Sequence, residues 1–412
     1  MRLRHTIALA GLLVACEGPV PRSQAGDTQN LALVERGRYL AILGDCTACH
    51  TRSGGEFLAG GRPIQTPLGS VVSPNITPDK DAGIGAMTDE QFYNAMHIGV
   101  SDKHLYPVMP YPYFSKVTPD DVMAIRAWLD TLPPVVNRVH ANTLPFPLNI
   151  RAGLIGWNAL YFQPGDWQNR PERSAEWNRG GYLVEGLGHC GACHTPKNFL
   201  AGDEDSRRLQ GYALQGWFAP EITGNERVGV GGWSVDDIVE YLRTGTNRYT
   251  SASGPMAEEI SNSSSHWTME DLHAVATYLK DQPGSDHASP QPLAEQDPAM
   301  LAGGAIYTDE CSACHTMEGT GIARLMPALK GSPFVQQRQP TSLLRVVLGG
   351  TRAVATDLAP TGPAMPAMGW KLPDAQVAAV VSYIRNAWGN AAPAVSPGDV
   401  KRARAALADE RE

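Results

Sequence analysis

Two cysteines separated by two residues, with a histidine directly after the second, occur three times in this chain. The copies are Cys46-Thr-Ala-Cys49-His50, Cys190-Gly-Ala-Cys193-His194 and Cys311-Ser-Ala-Cys314-His315, each followed by threonine. Two thiols at this spacing can each add across one vinyl group of a porphyrin, and the adjacent imidazole then supplies the proximal nitrogen to iron. That is the attachment signature of c-type haem. One copy alone would also suit a zinc pair or a redox dithiol. Three copies, each preceded by a segment bearing glycine and an aromatic residue, favour three covalent haems c, with His50, His194 and His315 as iron ligands.

What such iron does depends on its sixth position. A methionine beside proline stands before the last helix of each repeat: Met109 in Leu105-Tyr-Pro-Val-Met-Pro110, Met256 in Ser253-Gly-Pro-Met256, and Met365 in Gly362-Pro-Ala-Met-Pro366. Each lies about fifty to sixty residues beyond its proximal histidine, and proline stiffens a loop that must hold a thioether against iron. Met109, Met256 and Met365 are therefore the expected sixth ligands, with Met368 the alternative in the third site. Met96, Met123, Met269 and Met326 read as core filler. His97, His104, His266 and His273 are the candidates for a bis-histidine site and are the less favoured reading. His189 reads as a surface or haem-edge residue. Asn75, Thr77 and Thr223 would either tune the potential near the propionates or cap turns. His/Met coordination leaves no vacant iron position and raises the reduction potential, so the chemistry expected is outer-sphere electron transfer.

The elements that must position these groups repeat with the motifs. Each motif follows a segment of the type Arg36-Gly-Arg-Tyr-Leu40, Arg179-Gly-Gly-Tyr-Leu183 or Gly303-Gly-Ala-Ile-Tyr307. The first two units then share Phe-Leu-Ala-Gly (57–60 and 199–202) and Pro-x-Ile-Thr (74–77 and 220–223). Each unit closes on an amphipathic helix with an aromatic in its last turns, Trp128, Tyr278 or Tyr383. Thr118-Pro-Asp and Thr268-Met-Glu are capping patterns for two of these helices. First and last helices are expected to cross with small residues facing aromatics. The units span 31–135, 175–282 and 299–391. An aromatic-rich connector, 136–174, is expected to pack rather than dangle, and 283–298 reads as a surface linker. The tail, 392–412, has room for a short helix.

A chain of 412 residues with 42 acidic and 34 basic side chains is mildly acidic, at -8, and no basic run suggests nucleic acid as a partner. Six of the seven cysteines belong to the motifs. The seventh, Cys16, follows a basic start and a short apolar run, which reads as a lipoprotein signal over 1–15 with Cys16 lipidated. Ordinary cleavage near Ser23-Gln-Ala25 is the alternative. The run is too short to span a bilayer and implies export.

The three Cys-x-x-Cys-His-Thr sites, with His104-Leu-Tyr-Pro-Val-Met-Pro-Tyr-Pro112, Asn178-Arg-Gly-Gly-Tyr-Leu-Val-Glu-Gly-Leu-Gly-His-Cys-Gly-Ala-Cys-His194 and Ala252-Ser-Gly-Pro-Met256, resemble one family. It is the three-haem cytochrome c subunit of bacterial membrane-bound dehydrogenases, of the quinoprotein alcohol dehydrogenase and gluconate dehydrogenase types. The likeness runs from about Leu31 to Asn390. It implies an all-α fold of three tandem class I-like cytochrome c domains, each wrapped around one covalent haem c. It also implies a separate catalytic subunit, dependent on PQQ or FAD, that oxidises an alcohol, sugar or sugar acid at the outer face of the cytoplasmic membrane, with ubiquinone as acceptor. Met109, Met256 and Met365 carry over as the groups opposite the histidines. No catalytic constellation accompanies the motifs. The rival readings are a free-standing or oxidase-linked carrier and a multihaem enzyme of peroxidase type.

Overall fold

The computed structural model describes residues 29–286 and 288–409. The expected signal segment, 1–15, and Cys16 lie outside the described residues. The chain is mainly helical, with three small antiparallel hairpins among the described residues. These hairpins (63–72, 212–219 and 351–365) qualify the all-α expectation. Each follows a haem motif, and the third holds Met365 in its second strand.

Three helix pairs repeat. The opening helices are Leu31–Leu43, Ala175–Tyr182 and Pro298–Glu310, and the closing helices that cross them are Pro119–Leu129, Met269–Lys280 and Asp374–Ile384. The expected caps form: the side chains of Thr118 and Thr268 accept from the backbone N–H of Asp121 and Asp271, and Pro119 occupies the first turn. At each crossing one glycine lets two backbones touch. A Cβ on Gly37, Gly180 or Gly303 would stand 1.8, 2.0 or 2.2 Å from the carbonyl oxygen of Ala124, Ala274 or Ala379. The Cβ atoms of Trp128, Tyr278 and Tyr383 come next, so small residues do meet aromatics. Backbone cannot retreat as a flexible side chain can. Gly180→Ala is therefore expected to destabilise the protein by about 1–3 kcal/mol, read as a lowered thermal midpoint of the haem-loaded protein.

The first two units are joined by a reciprocal exchange. Arg36 Nε donates to Asp121 at 2.8 Å, and Tyr182 of the second unit donates to the same carboxylate at 2.5 Å. Conversely, Arg179 Nε donates to Asp271 at 2.7 Å, and Tyr39 of the first unit donates to that carboxylate at 2.7 Å. The repeated Arg-Gly-x-Tyr thus builds both halves of one interface. The first two units accordingly share one hydrophobic core, while a second core belongs to the third unit. Three separate haem-centred cores were the sequence expectation. In the third unit, Ala302 and Ala305 stand where the other two carry arginine and tyrosine, which removes both arms of the exchange.

Burial, more than the bond to Asp271, pushes the Tyr39 hydroxyl from 10.0 up to about 12. A raised acid of this kind stabilises the fold fully below its unfolded value and loses that contribution as pH rises through about 12. The tyrosinate absorbance difference between the protein and its Tyr39→Phe variant should therefore develop well above pH 10, the ordinary tyrosine value.

The aromatic connector packs, as expected, across both units. Its helix Gly153–Tyr161 is pinned by Tyr111, whose hydroxyl donates to Asn158 Oδ1 at 2.6 Å, and by Trp157 Nε1 donating to the Leu200 carbonyl at 2.8 Å. Trp167 packs against Trp177 and Tyr278. The second linker bridges units two and three through Ser285 on Glu221 and the Leu293 N–H on Asn386. The tail forms a helix, Pro397–Asp409, held by Arg404 on the carbonyls of Gly369 and Leu372.

Candidate haem-binding sites

Each motif is a single helical turn ending in its histidine: Cys46–His50, Cys190–His194 and Ser312–His315. In the first two, the preceding residue (Asp45 or His189) takes a left-handed conformation that turns the chain sharply into the motif. The third motif enters through Cys311 at φ -122 and needs no such residue. The six thiols are free. Burial pushes Cys46 and Cys49 up to about 12 and Cys193 and Cys311 up to about 11, with Cys190 also raised.

One arrangement recurs at all three histidines. The Nδ1 atoms of His50, His194 and His315 lie 2.8, 2.6 and 3.0 Å from the carbonyl oxygens of Pro74, Pro220 and Pro327. A carbonyl can only accept, so Nδ1 carries the proton and Nε2 presents its lone pair. Burial lowers the pKa of all three rings, which keeps them in this neutral, metal-ligating form. A backbone carbonyl on the far nitrogen is the usual way a protein fixes the orientation of a metal-binding histidine. In the third unit Pro327 serves without the Pro-x-Ile-Thr repeat, whose first carbonyl has this use in the first two units. Asn75 and Thr77 hold that turn: Asn75 Oδ1 accepts from Thr77 N and Oγ1 at 2.9 and 2.8 Å, and Asn75 Nδ2 donates to Val135 O at 2.7 Å. Thr223 bonds Glu221 in the second unit. All three residues thus hold turns, Thr223 Oγ1 also accepting from Asn225 N at 3.4 Å.

In the third unit a cavity of about 1260 Å³, mouth included, has Cys311, Cys314 and His315 in its lining together with Met365 and Met368. The rest of its wall is predominantly apolar, with Val347, Leu372 and Ile384 among the side chains. That space is ample for a tetrapyrrole, which is larger than most ligands held in pockets. Among the described residues, no group of three or more His, Cys, Asp or Glu is placed to hold a metal ion, so a zinc cage has no ligand set there.

The comparisons agree with this geometry. A family model for cytochrome c matches residues 300–388. The chain is 40% identical over 408 residues to the gluconate 2-dehydrogenase cytochrome c subunit of Pantoea cypripedii, covering 92% of this chain and 91% of that one. It is 37% identical over 420 residues to the cytochrome c subunit of the quinone alcohol dehydrogenase of Gluconobacter oxydans, covering 96% and 86%. The chain belongs to this family of dehydrogenase cytochrome c subunits. A further relative, the fructose dehydrogenase cytochrome subunit of Gluconobacter japonicus, is 35% identical over 431 residues, covering 97% of this chain and 87% of that one.

Membership implies covalent haem c, and the neutral, oriented histidines, the paired thiols and the apolar cavity fit it. Within this cytochrome c subunit, Met109 is half-buried against the core shared by the first two units, and Met256 lies in the first turn of the helix Pro255–Asn262. Met365 and Met368 line one cavity together. Met96 and Met123 are core residues, as expected. Two of the other methionines are not. Met269 is 41% exposed at the start of its helix, where the first turn faces solvent. Met326 lines the third cavity, because Pro327, next to it, must reach His315. His189, expected at the surface or at a haem edge, is half-buried. It sits edge-on to Phe114, and its Nε2 lies 3.3 Å from the Gly44 carbonyl, linking the approaches to the first two motifs. His97 is buried, stacked on Tyr93 and 3.9 Å from Asp166. His266 bonds the Ser261 carbonyl at the surface. Arg62 joins the first motif to the second unit by bonding both the Ala48 carbonyl and Glu258.

Proposed function

We propose that this chain is a three-haem electron relay that serves a separate catalytic subunit, PQQ- or FAD-dependent, and passes electrons to ubiquinone. Three units, 31–135, 175–282 and 299–391, each hold one haem c. Cys46/Cys49, Cys190/Cys193 and Cys311/Cys314 form the thioethers. His50, His194 and His315, with Met109, Met256 and Met365, would hold the three irons. When bound, haem c supplies one-electron cycling between Fe(III) and Fe(II). The chain's own part is to keep that cycling free of ligand exchange. The carbonyls of Pro74, Pro220 and Pro327 hold each imidazole neutral and oriented, and the proline-linked methionines would keep a substrate from the iron. The single observation carrying this reading is that threefold histidine–carbonyl pairing on a threefold attachment motif. Export, with a lipid on Cys16, would place the relay on the periplasmic side of the cytoplasmic membrane.

The relatives' names support the assignment of partner: gluconate, alcohol and fructose dehydrogenases each carry a cytochrome subunit of this kind. Affinity purification of the full-length chain from its native membranes tests it. A copurifying dehydrogenase whose substrate reduces the haems is expected. Recovery of the chain alone, unresponsive to alcohols, sugars and sugar acids, would leave a free-standing carrier.

A further inference from the structure

The third unit grips the second beside the segment that leads into Met256. The hairpin strands Tyr212–Leu214 and Trp217–Ala219 carry Trp217 onto Gly254, so closely that a Cβ there would stand 2.4 Å from the indole Cε2. Gly254 has φ +58, a left-handed conformation, and Pro255 follows it at the first position of the helix that carries Met256. The backbone delivering this methionine is therefore pressed by the indole on one side of the turn and stiffened by proline on the other.

The same indole is held by the third unit. The guanidinium carbon of Arg345, a buried residue of the helix Thr341–Gly349, lies 4.7 Å from its ring centroid. On the next residue of the strand, the Phe218 N–H donates to Ser342 Oγ at 2.8 Å, and that hydroxyl donates to the Phe218 carbonyl at 3.0 Å. Arginine stacks on an aromatic face through both its charge and its planarity. The contact is continuous with the third site, since Tyr249 to Ser253, just upstream of Gly254, line the third cavity. One stretch of chain thus walls the third site and then presents Met256.

We propose that Trp217 and Arg345 are positioning residues for Met256, so that the third unit sets how the second site's thioether is held. This rests on reading Met256 as the iron ligand of the second haem. A methionine side chain has three rotatable bonds and little shape of its own. Its placement must come from its backbone, and partners behind a ligand govern how it meets the metal. The first unit offers a parallel arrangement: Arg151 stacks on Tyr106, three residues before Met109, at 4.5 Å.

The test uses the full-length, haem-loaded chain with Trp217→Leu, Arg345→Gln, Arg345→Lys and, as a control, Met256→Leu. Two readouts serve: the sulfur-to-iron absorption band of the oxidised protein and a potentiometric titration of the three haems. Trp217→Leu and Arg345→Gln are each expected to remove one site's share of the band, wholly or in part, and to lower one potential while two stay put. Arg345→Lys, which keeps a cation over the ring, should restore most of both. Retention of the full band and all three potentials in Trp217→Leu and Arg345→Gln, with Met256→Leu losing one site's share, would overturn the positioning role alone. Silence in Met256→Leu would instead overturn the ligand reading, and this proposal with it. Should Trp217→Leu fail to fold, Arg345→Gln gives the same readout with the ring in place.

Discussion

Changing Cys311 and Cys314 together to serine is expected to unfold the third unit and leave a protein with two haems. The core of that unit is built around the cavity of about 1260 Å³. Empty space in a core costs roughly 24 cal/mol per Å³. The enclosed part of that cavity, about 150 Å³, left unfilled would then cost about 4 kcal/mol, close to the whole stability of a marginal domain at about 5 kcal/mol. A unit of this size has little other core to draw on. The first two units should survive, because their shared core lies elsewhere and their reciprocal arginine, tyrosine and aspartate bonds do not involve the third. Intact mass should fall by one porphyrin, and limited proteolysis should trim the chain beyond about residue 290. A variant that melted like the parent while carrying two haems would show that the third unit does not depend on its cofactor.

Replacing the proposed methionine ligands should have the next largest effect. Met109→His, Met256→His and Met365→His are each expected to lower one reduction potential by on the order of 100 mV or more, since axial ligation moves haem potentials over about 0.8 V. The other two potentials should move little where the sites are independent. Nearness qualifies that independence. The first motif is tied to the second unit through Arg62 on Glu258, and the second unit lines the third cavity. Small secondary shifts at the second site are expected from changes at either neighbour. In the third unit, Met365→His should lower the potential and Met368→Leu should not. The reverse result would assign the ligand to Met368, which lines the same cavity.

The chemistry of this chain was legible in its sequence because it is local. Cys-x-x-Cys-His fits on one helical turn, a threonine cap sits three residues from its partner, and the proline-methionine loops announce themselves by recurrence. The helix crossing was also within reach, since glycine at the same place in three repeats has a simple steric cause. What could not be read depends on contacts distant in sequence. Tyr39 and Asp271 meet across units, so a repeated Arg-Gly-x-Tyr looked like an element signature when it was also an interface. The place of His189 between Gly44 and Phe114 could not be read either, because both contacts are distant in sequence. Met269 and Met326 were grouped with Met96 and Met123 because side-chain type alone does not say which face of a helix, or which wall of a cavity, a residue occupies. The proline carbonyls on the histidines are backbone atoms; the repeated Pro-x-Ile-Thr hinted at a role in the first two units, and nothing in the sequence marked Pro327 in the third.

Near-infrared magnetic circular dichroism of the oxidised, full-length protein, with carbon monoxide added to the reduced form, tests the central claim most directly. Three low-spin haems with histidine and methionine ligation and negligible carbon monoxide binding are predicted. A high-spin haem that takes up carbon monoxide in the native chain would contradict the relay and point to a site where substrate can reach the iron.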